Sequence, residues 1–216
     1  MNWTIPGTVL TAPVEEAEDI GQTFRTMFLA GDMVLGQVSG LSGLEPYMIQ
    51  NWVRRGFLSP PVGKKYTMNQ VCRILNINML RSTLPMEQIC GLLTYINGRL
   101  DSESDDLIDD AELYFLFVGL AGRARQYRSD ESWEAAIDAT LESVTERAPG
   151  AKARIKKVLQ VMLPAWFSSV MRQRAEATLR QMQSGCDERG SEVQPDGQRL
   201  QINGDCDFSA RFARSK

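Results

Sequence analysis

The stretch Ser42-Gly43-Leu44-Glu45-Pro46-Tyr47-Met48-Ile49-Gln50-Asn51-Trp52-Val53-Arg54-Arg55-Gly56 decides how the chain is read. Gly43 suits a tight turn, because glycine takes left-handed conformations at no steric cost. Pro46 suits the first turn of a helix, where its missing N–H has no partner to lose. That helix is expected to run to about Arg55 and to stop at Gly56, a natural C-terminal cap. Just upstream, Val34, Leu35, Val38 and Leu41 recur at helical spacing. Their glycine-rich setting makes a weak helix that only packing can hold.

Two short helices joined by a glycine turn can place the second one in the major groove of a duplex. Met48, Ile49, Trp52 and Val53 fall on one side of that helix, and Tyr47, Gln50, Asn51 and Arg54 on the other. Glutamine and asparagine amides pair bidentately with adenine, and arginine with guanine or phosphate. Tyr47 suits a phosphate oxygen, and Arg54 and Arg55 add positive charge. A merely solvated polar face is the plainer alternative. The next residues favour the groove: Pro60-Pro61 and Gly63 rule out helix and predict a short hairpin or wing. Lys64, Lys65 and Tyr66 then stand at its tip and return, within reach of the DNA backbone, with Arg73 and Arg81 adding charge to the same module.

Working outward, residues 1–32 read as a loose arm with a helical turn or two at Ile20 to Leu29. The DNA-binding module spans 33–100 and includes helices at Met68 to Asn76 and Met86 to Ile96. A helical dimerisation or effector region follows at 101–184, with helices at Asp105 to Arg125, from Ser129 or Asp130 to Arg147, and at Ala151 to Gln183. Pro164 is expected to kink the last of these. Its side bearing Ile155, Leu159, Met162, Trp166 and Val170 reads as a dimer face, with an intramolecular bundle as the alternative. Residues 185–216 read as a disordered tail. The fold class is mostly α: a winged helix-turn-helix followed by a helical bundle.

Net charge over the 216 residues is −3, which conceals its distribution. By region it is −4 over 1–33, +5 over 34–100, −9 over 101–150 and +5 over 151–216. A compact basic module beside an acidic one is the pattern expected of a nucleic-acid binder. With no histidine, a histidine general base and a histidine-containing zinc site are excluded. Cys72 and Cys90 sit in apolar patterns and read as buried thiols, and Cys186 and Cys206 belong to the polar tail. No apolar run is long enough for a membrane span and no secretory leader is apparent, so a cytoplasmic location is expected. Asp101 to Glu112 spaces its carboxylates like a calcium loop. Asp106 stands where such a loop needs glycine, and an acidic first turn explains the run better. No phosphate-binding loop, nucleophile elbow or dinucleotide fingerprint occurs, so no cofactor and no enzymatic activity are expected.

The run Gly43 to Leu58 resembles the MerR pattern of a glycine, a helix with L-R-Y-Y/W, and then G-L-L. Lys64-Lys65-Tyr66 resembles the G-Y-R-x-Y wing, and Pro85-Met86-Glu87-Gln88-Ile89 the S-L-E-E-I helix. The longer string I-Q-N-W-V-R-R-G through P-P-x-G-K-K-Y and L-P-M-E-Q-I to Y-I-N-G is still more similar to an uncharacterised MerR-like family of Firmicute bacteria, known only as a domain of unknown function. The resemblance covers about residues 33–100 and implies a fold that binds double-stranded DNA. Gln50 and Asn51 replace the usual arginine and tyrosine, so a different target sequence follows. The MerR coiled-coil dimer helix and effector part have no recognisable counterpart.

These readings lead to a sequence-specific transcriptional regulator acting as a homodimer on a pseudo-palindromic site. Two alternatives are a protein-interaction adaptor that keeps the fold without reading DNA, and a phage-type architectural or packaging factor. An effector is neither indicated nor excluded.

Overall fold

The computed structural model describes residues 2–98, 107–124 and 130–190. It is mostly helical. Strands β1 (Asn2–Thr4) and β2 (Thr11–Pro13) form an antiparallel hairpin, followed by a 3-10 helix over Val14–Asp19 and helix α1 (Ile20–Met27). Strand β3 (Met33–Val34) leads into α2 (Leu35–Ser42) and α3 (Pro46–Arg54). Strand β4 (Lys65–Tyr66) returns to pair antiparallel with β3, setting Met33 opposite Tyr66 and Val34 opposite Lys65. Helices α4 (Met68–Leu80), α5 (Met86–Asn97), α6 (Asp110–Ala124), α7 (Asp130–Glu142) and α8 (Ala151–Gly190) complete the chain.

Residues Met1–Ser169 form one compact unit. Its centre is the pair α4 and α6. Helix α4 is buried on most of its faces, and Val71, Cys72, Ile74, Leu75, Ile77 and Leu80 have no exposed surface. Thr67 caps it by accepting from Gln70 N at 3.3 Å, while the Gln70 side chain accepts from Thr67 N at 3.0 Å. This reciprocal arrangement satisfies two amides that would otherwise lack partners. Helix α6 buries Leu113, Tyr114, Phe117, Val118 and Leu120. A helix this apolar can only be central.

Three expectations need correcting. The first 32 residues are not a loose arm: Trp3, Ile5, Ile20 and Phe24 are buried. Tyr114 Oη donates to Pro6 O at 2.8 Å, and the Trp3 ring meets Trp166 edge-on at 6.0 Å between centroids. Nor is the apolar side of α8 free for a second copy, because Ile155, Leu159, Met162 and Trp166 are all buried within the chain. Trp166 also meets Phe117, and Lys156 pairs with Asp138 and Glu134 of α7. The intramolecular bundle is the arrangement found for that face. Finally, helix α8 continues through Gln183 to Gly190, so the first residues assigned to the tail are helical.

The second unit, Val170–Lys216, is described as far as residue 190. Over 170–183 it exposes Met171, Leu179 and Met182. The rest of the expected tail, Cys206 within it, and residues 101–106 of the acidic run lie outside the described residues.

Candidate nucleic-acid interface

Helix α2 begins where Gln37 Oε1 accepts from Val34 N at 2.9 Å, and it ends at Gly43, whose φ of 68° needs no Cβ to be accommodated. The turn after it is held from within and from behind. Ser39 Oγ donates to Leu44 O at 2.5 Å, and Leu44 N donates to Ser42 Oγ at 3.3 Å. From α4, Asn78 Nδ2 donates both to Ser42 O at 2.9 Å and to Gly7 O at 2.8 Å. Val9 N donates to Leu41 O at 3.0 Å. The N-terminal hairpin thus braces the turn.

Pro46 opens α3, and Gly56, at φ 73°, closes it. Ile49 and Trp52 are buried, whereas Met48 and Val53 are half-buried flanks of that face. On the opposite side Tyr47 is 66% exposed, and Gln50 and Arg54 are exposed. Asn51 is half-buried and lies at the edge of this polar face. Arg55 turns away: it pairs with Glu87 at 3.1 Å and lies 4.5 Å over the Phe57 ring. Its side chain keeps half its surface in solvent, and such a pair is weak, about 0–1 kcal/mol.

The segment after α3 is fixed by side chains of α4. Arg73 Nε donates to Phe57 O at 3.1 Å, and Gln70 Nε2 donates to Ser59 Oγ and Pro60 O, each at 3.0 Å. Val62 and Lys65 then exchange two backbone hydrogen bonds of 3.0 Å, closing a hairpin around Gly63 and Lys64. Lys64 and Lys65 are exposed, and among the described residues neither they nor Arg54 makes an ion pair.

One cation and a phenol leave the expected set. Tyr66 is 3% exposed, because alternation along β4 points it inward beside Met33 while Lys65 points out. Burial raises its hydroxyl pKa, and it can touch no phosphate. Arg73 is 4% exposed and pairs with Asp110 at 3.2 Å, so its charge is spent inside the protein. Arg81 is exposed, with Nε donating to Asn78 Oδ1 at 2.8 Å. Asn78 and Gln70 had not been singled out as functional. A polar residue inside an apolar helical run was the only signal for Asn78.

Other chemistry is sparse. Burial pushes the Cys72 thiol well up, helped by Asp110, and raises Cys90 as well. Both are free thiols held in the protonated, unreactive form. Among the described residues no cluster could hold a metal ion. Of the calcium-like run, Asp110 pairs with Arg73, and Asp109 and Glu112 pair with Arg147. No described helix is long and apolar enough to cross a membrane.

Residues 31–117 match a family described as a domain of unknown function (DUF1836). The matched stretch begins just before β3 and ends within α6, so it holds α2, α3, the 62–65 hairpin and the α4–α6 core. The uncharacterised protein YkrK of Bacillus subtilis (strain 168) is 32% identical over 84 residues, which are 37% of this chain and 36% of that protein. The chain therefore matches little more than a third of that relative's length. No solved structure matches the chain. The resemblance to an uncharacterised bacterial family is borne out over this stretch, and the finer likeness to MerR proteins rests on the residues alone.

Proposed function

We propose that the protein binds double-stranded DNA as a MerR-like winged helix-turn-helix and regulates transcription, without catalysing a reaction. The observation that carries this reading is a single exposed arrangement. Tyr47, Gln50 and Arg54 line the outer face of α3, and the cations Lys64 and Lys65 stand on the hairpin that follows it. Helix α3 is the reading element, with Gln50 and the edge residue Asn51 addressing bases and Arg54 a base or phosphate. Lys64 and Lys65 address phosphates, and Tyr47 a phosphate oxygen.

A single such helix reads few base pairs, so a homodimer on two half-sites completes the address. With the Ile155–Trp166 face covered, the exposed Met171, Leu179 and Met182 are the apolar side chains that support pairing. An adaptor that does not read DNA is the second reading, and the braced, rigid turn suits it equally.

Duplex binding followed by fluorescence anisotropy across a salt series separates the two. Replacing Lys64 and Lys65 by alanine should weaken binding to every sequence and flatten its salt dependence, because each phosphate contact releases counterion. Gln50→Ala or Asn51→Ala should cost about 1–3 kcal/mol on a sequence selected from genomic fragments and little on random DNA. Absence of salt-dependent duplex binding by the parent chain rejects the DNA reading in favour of the adaptor.

A further inference from the structure

Asn78 occupies an odd place for an amide. It follows Val71, Cys72, Ile74, Leu75 and Ile77 on a helix buried on most of its faces, and asparagine is a poor helix former. Its side chain nevertheless uses both of its donors. Arg81 Nε donates to Asn78 Oδ1 at 2.8 Å, which turns the two N–H groups of Nδ2 toward the carbonyls of Gly7 and Ser42. Ser42 ends α2, so its carbonyl is one of those that a helix leaves unpaired. One side chain of α4 therefore joins the tip of the N-terminal hairpin to the turn before α3.

The tip that Asn78 grips is internally bonded and closely seated. Thr8 is buried, with Oγ1 donating to Ile5 O at 3.1 Å and accepting from Leu10 N at 3.0 Å. Gly7 has φ of 75°, and a Cβ there would lie 2.4 Å from Leu75 O, so the tip rests directly on the backbone of α4. On its other side Val9 N donates to Leu41 O, and a Cβ on Gly43 would lie 2.7 Å from the Val9 side chain. The hairpin precedes residue 31, where the family match begins. The hairpin tip, α4 and the α2–α3 turn thus meet at one point, and α3 starts beside it.

We infer that Asn78 is a positioning residue for sequence discrimination: by clamping the hairpin tip and the α2–α3 turn to α4, it sets the direction in which α3 leaves that turn. The inference rests on the DNA-binding reading above. At about 1.5 Å per residue α3 runs about 12 Å from Pro46 to Arg54, so a tilt of about 10° at the turn moves its far end about 2 Å. Bidentate amide contacts to a base, held to about 2.7–3.2 Å, do not survive such a shift. Lysine contacts to phosphate, made through flexible four-carbon stems, do. Releasing the clamp therefore removes discrimination and spares general affinity.

The test compares two fluorescein-labelled duplexes of about 30 bp, one selected from genomic fragments by the parent chain and one of mixed sequence, by anisotropy well below the melting temperature. Asn78→Leu keeps the side chain's size and removes both donors. It should lower the ratio of selected to mixed affinity about tenfold, while mixed-sequence binding and its salt slope stay those of the parent. Hydrogen exchange should quicken about tenfold more at the amides of Val9 and Leu44 than at that of Leu75. Gly7→Ala disturbs the same junction from the hairpin side and should give the same loss, and the double variant no more than either alone. If Asn78→Leu fails to fold, Asn78→Ser, which withdraws the donors without adding apolar bulk, decides by the same ratio. A folded variant that loses affinity for both duplexes alike, or for neither, reduces Asn78 to a structural cap and overturns the inference, while the DNA reading stands. A parent that binds both duplexes alike has no discrimination to position, which also overturns it. A parent chain that binds neither duplex rejects the DNA reading and this inference with it.

Discussion

Trp52 is 4% exposed, on the same buried side of α3 as Ile49. Its indole therefore holds the helix to the core, and Trp52→Ala should cost about 3–5 kcal/mol through lost burial and a cavity. Urea melts measure this directly, and an unchanged midpoint with lost DNA binding would invert the two faces of α3. The faces were legible because a spacing of three and four residues needs only the helix itself. Tyr66 was not legible in the same way. Lys64-Lys65-Tyr66 reads as three polar groups at a tip, and which of them points inward is set by pairing with Met33, more than thirty residues earlier. A one-residue change of register reverses every side chain in a strand, and no local pattern fixes that register here.

The first turn of α6 and the middle of α4 meet through the buried pair Arg73–Asp110, which also ties α4 to Phe57 O just beyond α3. Removing one partner of a buried pair leaves the other charge uncompensated, so Arg73→Met should destabilise by about 3–5 kcal/mol. Burial raises the Asp110 pKa against the opposing pull of Arg73. The folded value therefore lies above the unfolded one of about 3.9. A carboxyl shifted upward contributes its full stability below the unfolded pKa and loses it as pH rises through the folded one. Subtracting the pH–stability curve of Asp110→Asn from that of the parent should leave a limb that falls upward from about pH 3.9. A difference that grows with pH contradicts the assignment. From the sequence, the acidic run looked like a helix start complementing its dipole, and Arg73 looked like surface charge. The starts of α3, α4, α5 and α8 were legible because caps and prolines are local signals, whereas the ends of α4, α7 and α8 lie four, five and seven residues from where the sequence put them. The pairing between elements 37 residues apart had none.

On the scale of the whole chain, residues 33–100 looked separable, yet α6 covers α4, and Tyr114 reaches back to Pro6. A fragment ending at residue 100 should lose cooperative unfolding, since Val71, Ile74 and Leu75 of α4 would lose their cover. One ending at Ser169 should melt like the parent. Light scattering of the full chain is expected to give a dimer at micromolar concentration, and Met171→Glu with Met182→Glu a monomer. A monomeric parent removes the dimer from the proposed function. The brace formed by the N-terminal hairpin has a consequence during synthesis. Its strands leave the ribosome well before the groups they rest on, Tyr114 and Trp166. At about 5–20 residues per second, the 108 residues between Pro6 and Tyr114 keep the hairpin waiting for on the order of ten seconds. Through that interval the turn between α2 and α3 exists without its brace. A nascent chain should therefore carry α2 and α3 without their full brace until Tyr114 and Trp166 have emerged.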